Sequence, residues 1–270
     1  MKKLKEENNE EAIKQIYEAF FVFAAMWAFG ASLNEDKLSF SNSWKSASKI
    51  KFPEQGTCFD YFFDVMQGCW VHWDTCVEPF DKSYDGLYNN LVVPTAETTR
   101  QKFLLDMHVG ARKGVLYVGT AGTSKTTIIK DYFSKLDPET RETQSISMNS
   151  YTDSAALQVV IMSRVDKRAG RTFGPPPSKT LIYFMDDLNM PRLDKYFTQS
   201  PICLVRQIID YAMIYDRDKL SDKILLVDIM FVACMNPKSG SFNIDIRLSR
   251  HFTLISCLTP EKEILRTIYQ

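Results

Sequence analysis

Val115-Leu-Tyr-Val-Gly119-Thr-Ala-Gly122-Thr-Ser124-Lys125-Thr126-Thr127 is the stretch on which the rest of this chain is built. Its apolar start, residues 115–118, predicts a buried strand, and the periodic segment 125–136 predicts a helix. Between them Gly119 and Gly122 let the backbone curl so that its N–H groups face inward, and the helix N-terminus adds the positive end of its dipole. Phosphate oxygens fit such a cradle. Gly119, Thr120, Ala121, Gly122, Thr123 and Ser124 form it, Lys125 reaches the β- and γ-phosphates, and the Thr126 hydroxyl takes one position on Mg²⁺. Ser124 departs from the pattern G-x-x-x-x-G-K-[ST], which has glycine there. If that position needs φ > 0, a serine costs about 1 kcal/mol or more, and its side chain crowds the phosphates.

At 270 residues, 45% of them hydrophobic, the chain suffices for one large α/β domain, or for one domain and part of another. Its 33 Lys and Arg balance 33 Asp and Glu. Bulk charge therefore favours neither a nucleic-acid nor a membrane-surface partner. Cys58, Cys69, Cys76, Cys203, Cys234 and Cys257 contain no C-x-x-C pair and read as reduced thiols of a cytosolic protein. Residues 1–11 alternate Lys and Glu without the apolar core of a leader, and the apolar stretch 19–31 is too short to span a bilayer.

Taken in order, residues 1–29 predict one helix, with Ile13, Ile16, Phe20, Phe23 and Trp27 on an apolar face and Gly30 as its stop. Its aromatic end, Phe20 to Phe23, suggests burial against something larger than the start of this chain. Residues 38–53 read as polar and irregular. Residues 58–77 are dense in aromatics but lack the interleaved Lys and Arg of a base-stacking platform, so they read as packing. His72 stands alone and takes no ligand role. Residues 91–95 read as extended. Thr95 or Thr98 caps a helix with Phe103, Leu104, Met107 and Val109 inward and Gly110 at its end. Residues 144–148 predict a strand. Asp153 caps a helix running through Val165, with Lys167 and Arg168 at its C-terminal end. Gly174-Pro175-Pro176-Pro177 reads as a rigid spacer.

A second diagnostic run follows: Leu181-Ile-Tyr-Phe-Met185 leads into Asp186-Asp187. A buried strand that delivers two carboxylates at its C-terminal edge pairs naturally with a phosphate loop. Asp186 holds Mg²⁺ through water, and Asp187 stands where hydrolytic enzymes usually place a Glu that polarises the attacking water. Asp is one methylene shorter, and a misplacement of about 1 Å costs on the order of a hundredfold. Pro201 opens a helix with Leu204, Val205, Ile208 and Ile209. Residues 225–234 predict one long strand ending in Met235-Asn236-Pro237, which puts the Asn236 amide at the γ-phosphate or the attacking water. Arg247 and Arg250 precede a last strand, 252–256. Two readings stay open for them: they point to a neighbour's nucleotide, or they form surface salt bridges.

Taken together, the stretches 119–126, 173–176, 181–191, 194–199, 206–207, 215–217 and 234–251 resemble the third AAA+ module of a dynein heavy chain of the axonemal, outer-arm β type. The phrase Cys-Met-Asn-Pro-Lys-Ser-Gly-Ser-Phe from Cys234, with Arg247-Leu-Ser-Arg250-His251-Phe252, is its most specific part. Residues 17–80 resemble the connector before that module. The resemblance implies an α/β fold of the P-loop NTPase (AAA+) kind: a three-layer parallel sheet with flanking helices, preceded by a mostly helical and irregular N-terminal segment. It implies a division into 1–90, the lid end of the preceding module with its connector, and 91–270, the large P-loop subdomain.

Residue by residue, the resemblance makes Lys125 and Thr126 the Walker A positions, Asp186 and Asp187 Walker B, and Asn236 the first sensor. Arg250 becomes the arginine that acts in trans. It implies ATP or ADP with Mg²⁺ as ligand and a regulatory site that gates another module. The implied partners are neighbouring AAA+ modules, with dynein intermediate and light chains and microtubules reached only through the longer protein. The implied location is the cytoplasm and cytoskeleton, in the ciliary axoneme. Two stretches depart from the family pattern: Ser124 replaces glycine, and Tyr211-Ala212-Met213-Ile214 replaces Tyr-Gly-His-Trp. The chain is expected to end at Gln270 before any helical lid or second sensor arginine, as a fragment or decayed copy. The alternative function is a non-hydrolysing P-loop remnant that serves only as a structural or interaction module.

Overall fold

Residues 2–80, 91–238 and 244–269 are described by the computed structural model of the chain, which divides into two units, 1–85 with 93–101 and 86–92 with 102–270. The expected boundary at 90/91 abuts residues outside the described set, as do residues 239–242 of the diagnostic phrase.

In the first unit, helix α1 (Lys2–Gly30) buries Ala19, Phe23, Met26 and Trp27, while Ile13 and Phe20 stay exposed at 45% and 42%. The expected apolar stripe is thus only partly the buried one; the true face is turned toward Ala19 and Met26. Gly30 does more than stop the helix. A Cβ there would come within 2.5 Å of the Phe59 ring, so glycine permits the close packing of helix end and aromatic. Residues 38–53, expected to be irregular, contain helix α2 (Lys37–Ala47). Phe40 and Trp44, one turn apart, stack at 5.6 Å, and buried Ser41 accepts the Cys58 N–H at 2.8 Å. Tertiary packing here overrides the weak helix propensity of serine and asparagine. The aromatic segment folds into a hairpin of β1 (Tyr61–Asp64) and β2 (Cys69–His72), paired from Tyr61↔His72 to Asp64↔Cys69. Phe52 stacks on Trp70 at 4.3 Å and Phe62 on Trp73 at 4.7 Å. The aromatics pack on one another, as the absence of interleaved basic residues implied.

Helix α3 (Ala96–Gly110) starts at Thr95, whose Oγ1 accepts the Thr98 N–H at 3.2 Å; residues 91–95 before it carry no strand. Leu104, Leu105 and Val109 are buried, whereas Phe103 and Met107 lie toward solvent. The second unit continues with β3 (Gly114–Val118), α4 (Lys125–Ser134), β4 (Arg141–Ser147) and α5 (Ser154–Met162). The Asp153 carboxylate caps α5, accepting from the Ala156 N–H at 2.8 Å. That helix stops at Met162 rather than running through Val165. Lys167 and Arg168 belong instead to β5 (Asp166–Ala169), which turns through Gly170 at φ 57 into β6 (Thr172–Gly174).

The chain then forms β7 (Thr180–Asp186), α6 (Ser200–Tyr211), β8 (Met213–Tyr215), β9 (Lys223–Leu226) and β10 (Ile229–Met235). The long strand expected over 225–234 is broken in two. Asp228 sits at φ 53 and its carboxylate bridges Arg112 at 2.9 Å and Arg168 at 2.6 Å. Asp228 itself interrupts the apolar run at the kink, and two arginines far away in sequence hold its carboxylate. α7 (Ile246–Ser249), β11 (Phe252–Ser256) and a helix not expected from sequence, α8 (Lys262–Tyr269), follow.

Five strands form a parallel sheet in the order β11-β3-β10-β7-β4. Both faces of the inner strands are covered, which explains why these three read as unbroken apolar runs: Val115, Leu116 and Tyr117 in β3, residues 181–185 in β7 and 230–234 in β10 are all buried, whereas the edge strand β4 is polar. The Tyr183 hydroxyl finds its partner inside, donating to the Ile161 carbonyl at 2.7 Å. A smaller sheet, β5-β6-β9-β8, is mixed. Because the five strands run the same way, the C-terminal ends of β3, β7 and β10 lie along one edge.

Candidate functional site

That edge collects most of the residues singled out by sequence. β3 ends at Val118 and the chain turns through residues 119–124 into α4. Gly119 lies so close to Cys257 that a Cβ would meet its carbonyl oxygen at 2.5 Å, and its N–H donates to the Met235 carbonyl at 3.2 Å. Gly122, at φ 82, has open space where a Cβ would stand. Thr123 Oγ1 closes the turn by donating to the Thr120 carbonyl at 2.9 Å. Ala121 is exposed at the crest. Ser124 adopts φ 57, ψ 18 as the residue before the helix, with no side-chain cap hydrogen bond. It therefore occupies the left-handed region that its place in the pattern suggested, and its side chain is exposed.

Lys125 is buried to 9% exposure. Its ammonium donates to the Gly119 carbonyl at 2.9 Å, the Thr120 carbonyl at 2.8 Å and Thr123 Oγ1 at 3.0 Å. Three acceptors of its own loop satisfy its three protons.

Asp186 reaches the same edge from β7. The Thr126 hydroxyl donates to Asp186 Oδ1 at 3.0 Å across a separation of 60 residues. Cys234, the penultimate residue of β10, donates its thiol proton to the same oxygen at 2.7 Å, with its sulfur 3.7 Å from Thr126 Oγ1. Burial, then the hydrogen bond to Asp186, push the Cys234 thiol up to about 12. The sequence reading passed over Cys234. The available signal was a thiol inside an otherwise apolar run, on the strand next to the two acidic residues.

Asp187 follows at φ 54 and is exposed. Desolvation and the neighbouring Asp186 raise its carboxyl above the usual range, against the opposing pull of Lys125. Asn236 stands one residue past β10. Its Oδ1 accepts the Lys238 N–H at 3.1 Å, and its backbone carbonyl accepts from Asn189 Nδ2 at 3.0 Å. Asn189 and Gln199, both buried, were also missed. Gln199 donates to the Pro191 carbonyl at 2.6 Å, and the Leu188 N–H donates to the Cys234 carbonyl at 3.0 Å. Together they tie the loop after β7 to the end of β10.

Arg250 is not part of this group. It precedes the start of β11, whose Phe252 pairs with Gly114 at the start of β3, so it lies at the opposite edge of the sheet. Arg250 Nη2 is 3.0 Å from Asp210 Oδ1 on α6, which also faces Arg206 at 3.3 Å and His251 at 2.8 Å. Desolvation pushes the Asp210 carboxyl up, but the Arg250 hydrogen bond and the charges of His251, Arg250 and Arg206 outweigh it and hold the group below the usual range.

The chemistry of the edge is that of hard oxygen donors beside a helix N-terminus. Thr126 and Asp186 suit Mg²⁺, which takes few protein ligands and keeps phosphate oxygens and water for the rest. Among the described residues no group of three or more His, Cys, Asp or Glu could hold a metal by itself. No described helix is long and apolar enough to cross a membrane.

Comparison with known proteins agrees with this geometry. The family described as P-loop containing dynein motor region matches residues 80–260, and the dynein heavy chain AAA lid domain matches residues 1–75. Dynein axonemal heavy chain 9 of Homo sapiens is 41% identical over 262 residues, covering 95% of this chain. The ciliary dynein beta chain of Tripneustes gratilla is also 41% identical, and the flagellar outer-arm dynein beta chain of Chlamydomonas reinhardtii is 40% identical, each over 95% of this chain. The chain spans 6% of the length of each of these relatives.

Proposed function

Because the chain belongs to the dynein heavy chains, within their P-loop AAA+ motor region, we propose that the edge formed by β3, β7 and β10 is a regulatory nucleotide site, that of a third AAA+ module. Residues 119–124 cradle the phosphates of ATP or ADP, and Lys125 turns from its loop carbonyls to the β- and γ-phosphates. Thr126 and Asp186 hold Mg²⁺, which neutralises phosphate charge when bound. Asp187 and Asn236 orient the attacking water. Arg250, from the opposite edge, serves a neighbouring module's nucleotide. The observation that carries this reading is the meeting of Thr126 and Asp186 at 3.0 Å, which joins the phosphate loop to the acidic strand end.

In the same reading, residues 1–90 are the lid end of a preceding module with its connector, and 91–270 are the large subdomain. Neighbouring AAA+ modules are the direct partners. Intermediate and light chains and microtubules are reached through a longer polypeptide; the relatives' names, axonemal, ciliary and flagellar, support the ciliary axoneme as the place.

Titration calorimetry of the chain with millimolar Mg²⁺–ATP and ADP tests the proposal. Heat that Lys125→Ala abolishes is the expected result; equal heats from both proteins, or none, would remove its basis.

Two observations favour the second reading, a P-loop fold without nucleotide. Lys125 is fully engaged by its own loop, and Ser124 holds a strained backbone beside it. The same titration decides between the two.

A further inference from the structure

Cys234 lies at 1% exposure in a strand of Phe, Val, Ala and Met, where an apolar side chain would fill the space without a polar atom. Its sulfur instead lies 2.7 Å from Asp186 Oδ1. An ionised carboxylate only accepts, so the thiol is the donor. The Thr126 hydroxyl donates to that same oxygen at 3.0 Å. Two donors from two different elements, the end of β10 and the first turn of α4, thus converge on one atom at the end of β7. A carboxylate oxygen held by two hydrogen bonds from different directions is restrained more tightly than one held by a single bond.

We propose that Cys234 is a positioning residue of the divalent-cation site. Its S–H fixes Asp186 in register with the Thr126 hydroxyl, so that both present their oxygens to the cation of a Mg²⁺–nucleotide. This inference rests on the nucleotide reading above. Cys234 itself does not touch the cation. It acts through Asp186, and it links the strand that ends in Asn236 to the metal-holding carboxylate. The donated hydrogen bond is what matters, so a hydroxyl at the same place serves as well as a thiol, whereas a methyl group does not.

The test uses the whole chain as native protein, Cys234→Ser, Cys234→Ala and Lys125→Ala, each titrated with ATP in Mg²⁺ and again in chelator. The quantity read is the gain in affinity that Mg²⁺ confers. Losing a hydrogen bond to a charged group costs about tenfold in an equilibrium constant. In Cys234→Ala that gain is expected to fall by about this factor, with Mg²⁺-free affinity unchanged. In Cys234→Ser it is expected to stay close to native. An undiminished gain in Cys234→Ala overturns the proposal, and so does an equal loss in both variants, which marks a packing role only. An independent readout needs no nucleotide. The infrared S–H stretch of Cys234, identified by its disappearance in Cys234→Ala, is expected to move to higher frequency in Asp186→Ala; an unmoved band also overturns it. If native chain and Lys125→Ala bind ATP alike, the nucleotide reading fails first, and the cation role of Cys234 falls with it.

Discussion

Arg250 Nη2 sits 3.0 Å from Asp210 Oδ1, so the arginine that resemblance aims at a neighbour's nucleotide is held by helix α6 of its own fold. Asp210 gathers Arg206 and His251 as well, and Asp228 does the same for Arg168 and Arg112. The Arg168 hydrogen bond, over the opposing desolvation and with help from Arg112, lowers the Asp228 carboxyl; the Arg250, His251 and Arg206 contacts lower that of Asp210. A carboxylate whose folded value is depressed stabilises the fold above its unfolded value, about 3.9, and that stabilisation is lost as pH falls through the folded value. Melting temperature is therefore expected to drop as pH falls below about 4. Asp210→Asn and Asp228→Asn should each flatten this drop. An unchanged slope in both would mean that these clusters do not couple to folding.

Ser124 and Ala212 stand at φ 57 and φ 51, in the region where side chains other than glycine are strained. Both are positions where the chain departs from a glycine of the pattern it resembles. Ser124→Gly and Ala212→Gly are each expected to stabilise the chain by about 1 kcal/mol in urea unfolding, the strain relieved exceeding the added freedom of the unfolded chain. Ser124 precedes α4 and Ala212 ends α6, so the two effects should add. Ser124→Gly should also tighten ATP binding, and no gain there would separate backbone strain from phosphate contact.

Tyr183 is fully buried, and its hydroxyl donates to the Ile161 carbonyl at the far end of α5. Tyr183→Phe keeps the ring packed on Phe231 at 5.6 Å and removes one donor from that carbonyl, which still accepts from the Arg164 N–H at 3.4 Å. A loss of about 0.5–1.5 kcal/mol is expected, read as a shift in urea midpoint at constant slope. A variant as stable as the native chain would show that water replaces the phenol.

Asp187→Glu lengthens the exposed carboxylate by one methylene. If reach limits hydrolysis, phosphate release should rise, by up to about a hundredfold. Stability should fall slightly, because φ 54 at this position suits Asp better than Glu. Unaltered turnover with intact ATP binding would place the limit elsewhere.

The central sheet was legible because parallel strands are buried on both faces and so announce themselves as apolar runs; 115–118 and 181–185 needed no further context. Asp186 and Thr126 were legible for the same reason, each standing at the end of such a run or the start of a periodic one. The kink had one visible signal, Asp228 inside an apolar run, but the partners of its carboxylate, arginines 60 and 116 residues away, were hidden. Helix α2 was hidden too, since its serines form a helix only when Ser41 and Phe40 have a surface to pack on. Cys234 was overlooked because a thiol inside an apolar strand reads as one more hydrophobe. Its hydrogen bond becomes visible only once β10 and β7 are neighbours.

The three acceptors around the Lys125 ammonium have a consequence for how a ligand would meet this loop. They hold the turn from Gly119 to Ser124 in shape during folding, so the entropy of ordering it is already spent before any phosphate arrives. Arrival is then an exchange of partners at one nitrogen, carbonyls for phosphate oxygens, rather than the closing of a loose segment. Encounter should be quick, and the enthalpy released small.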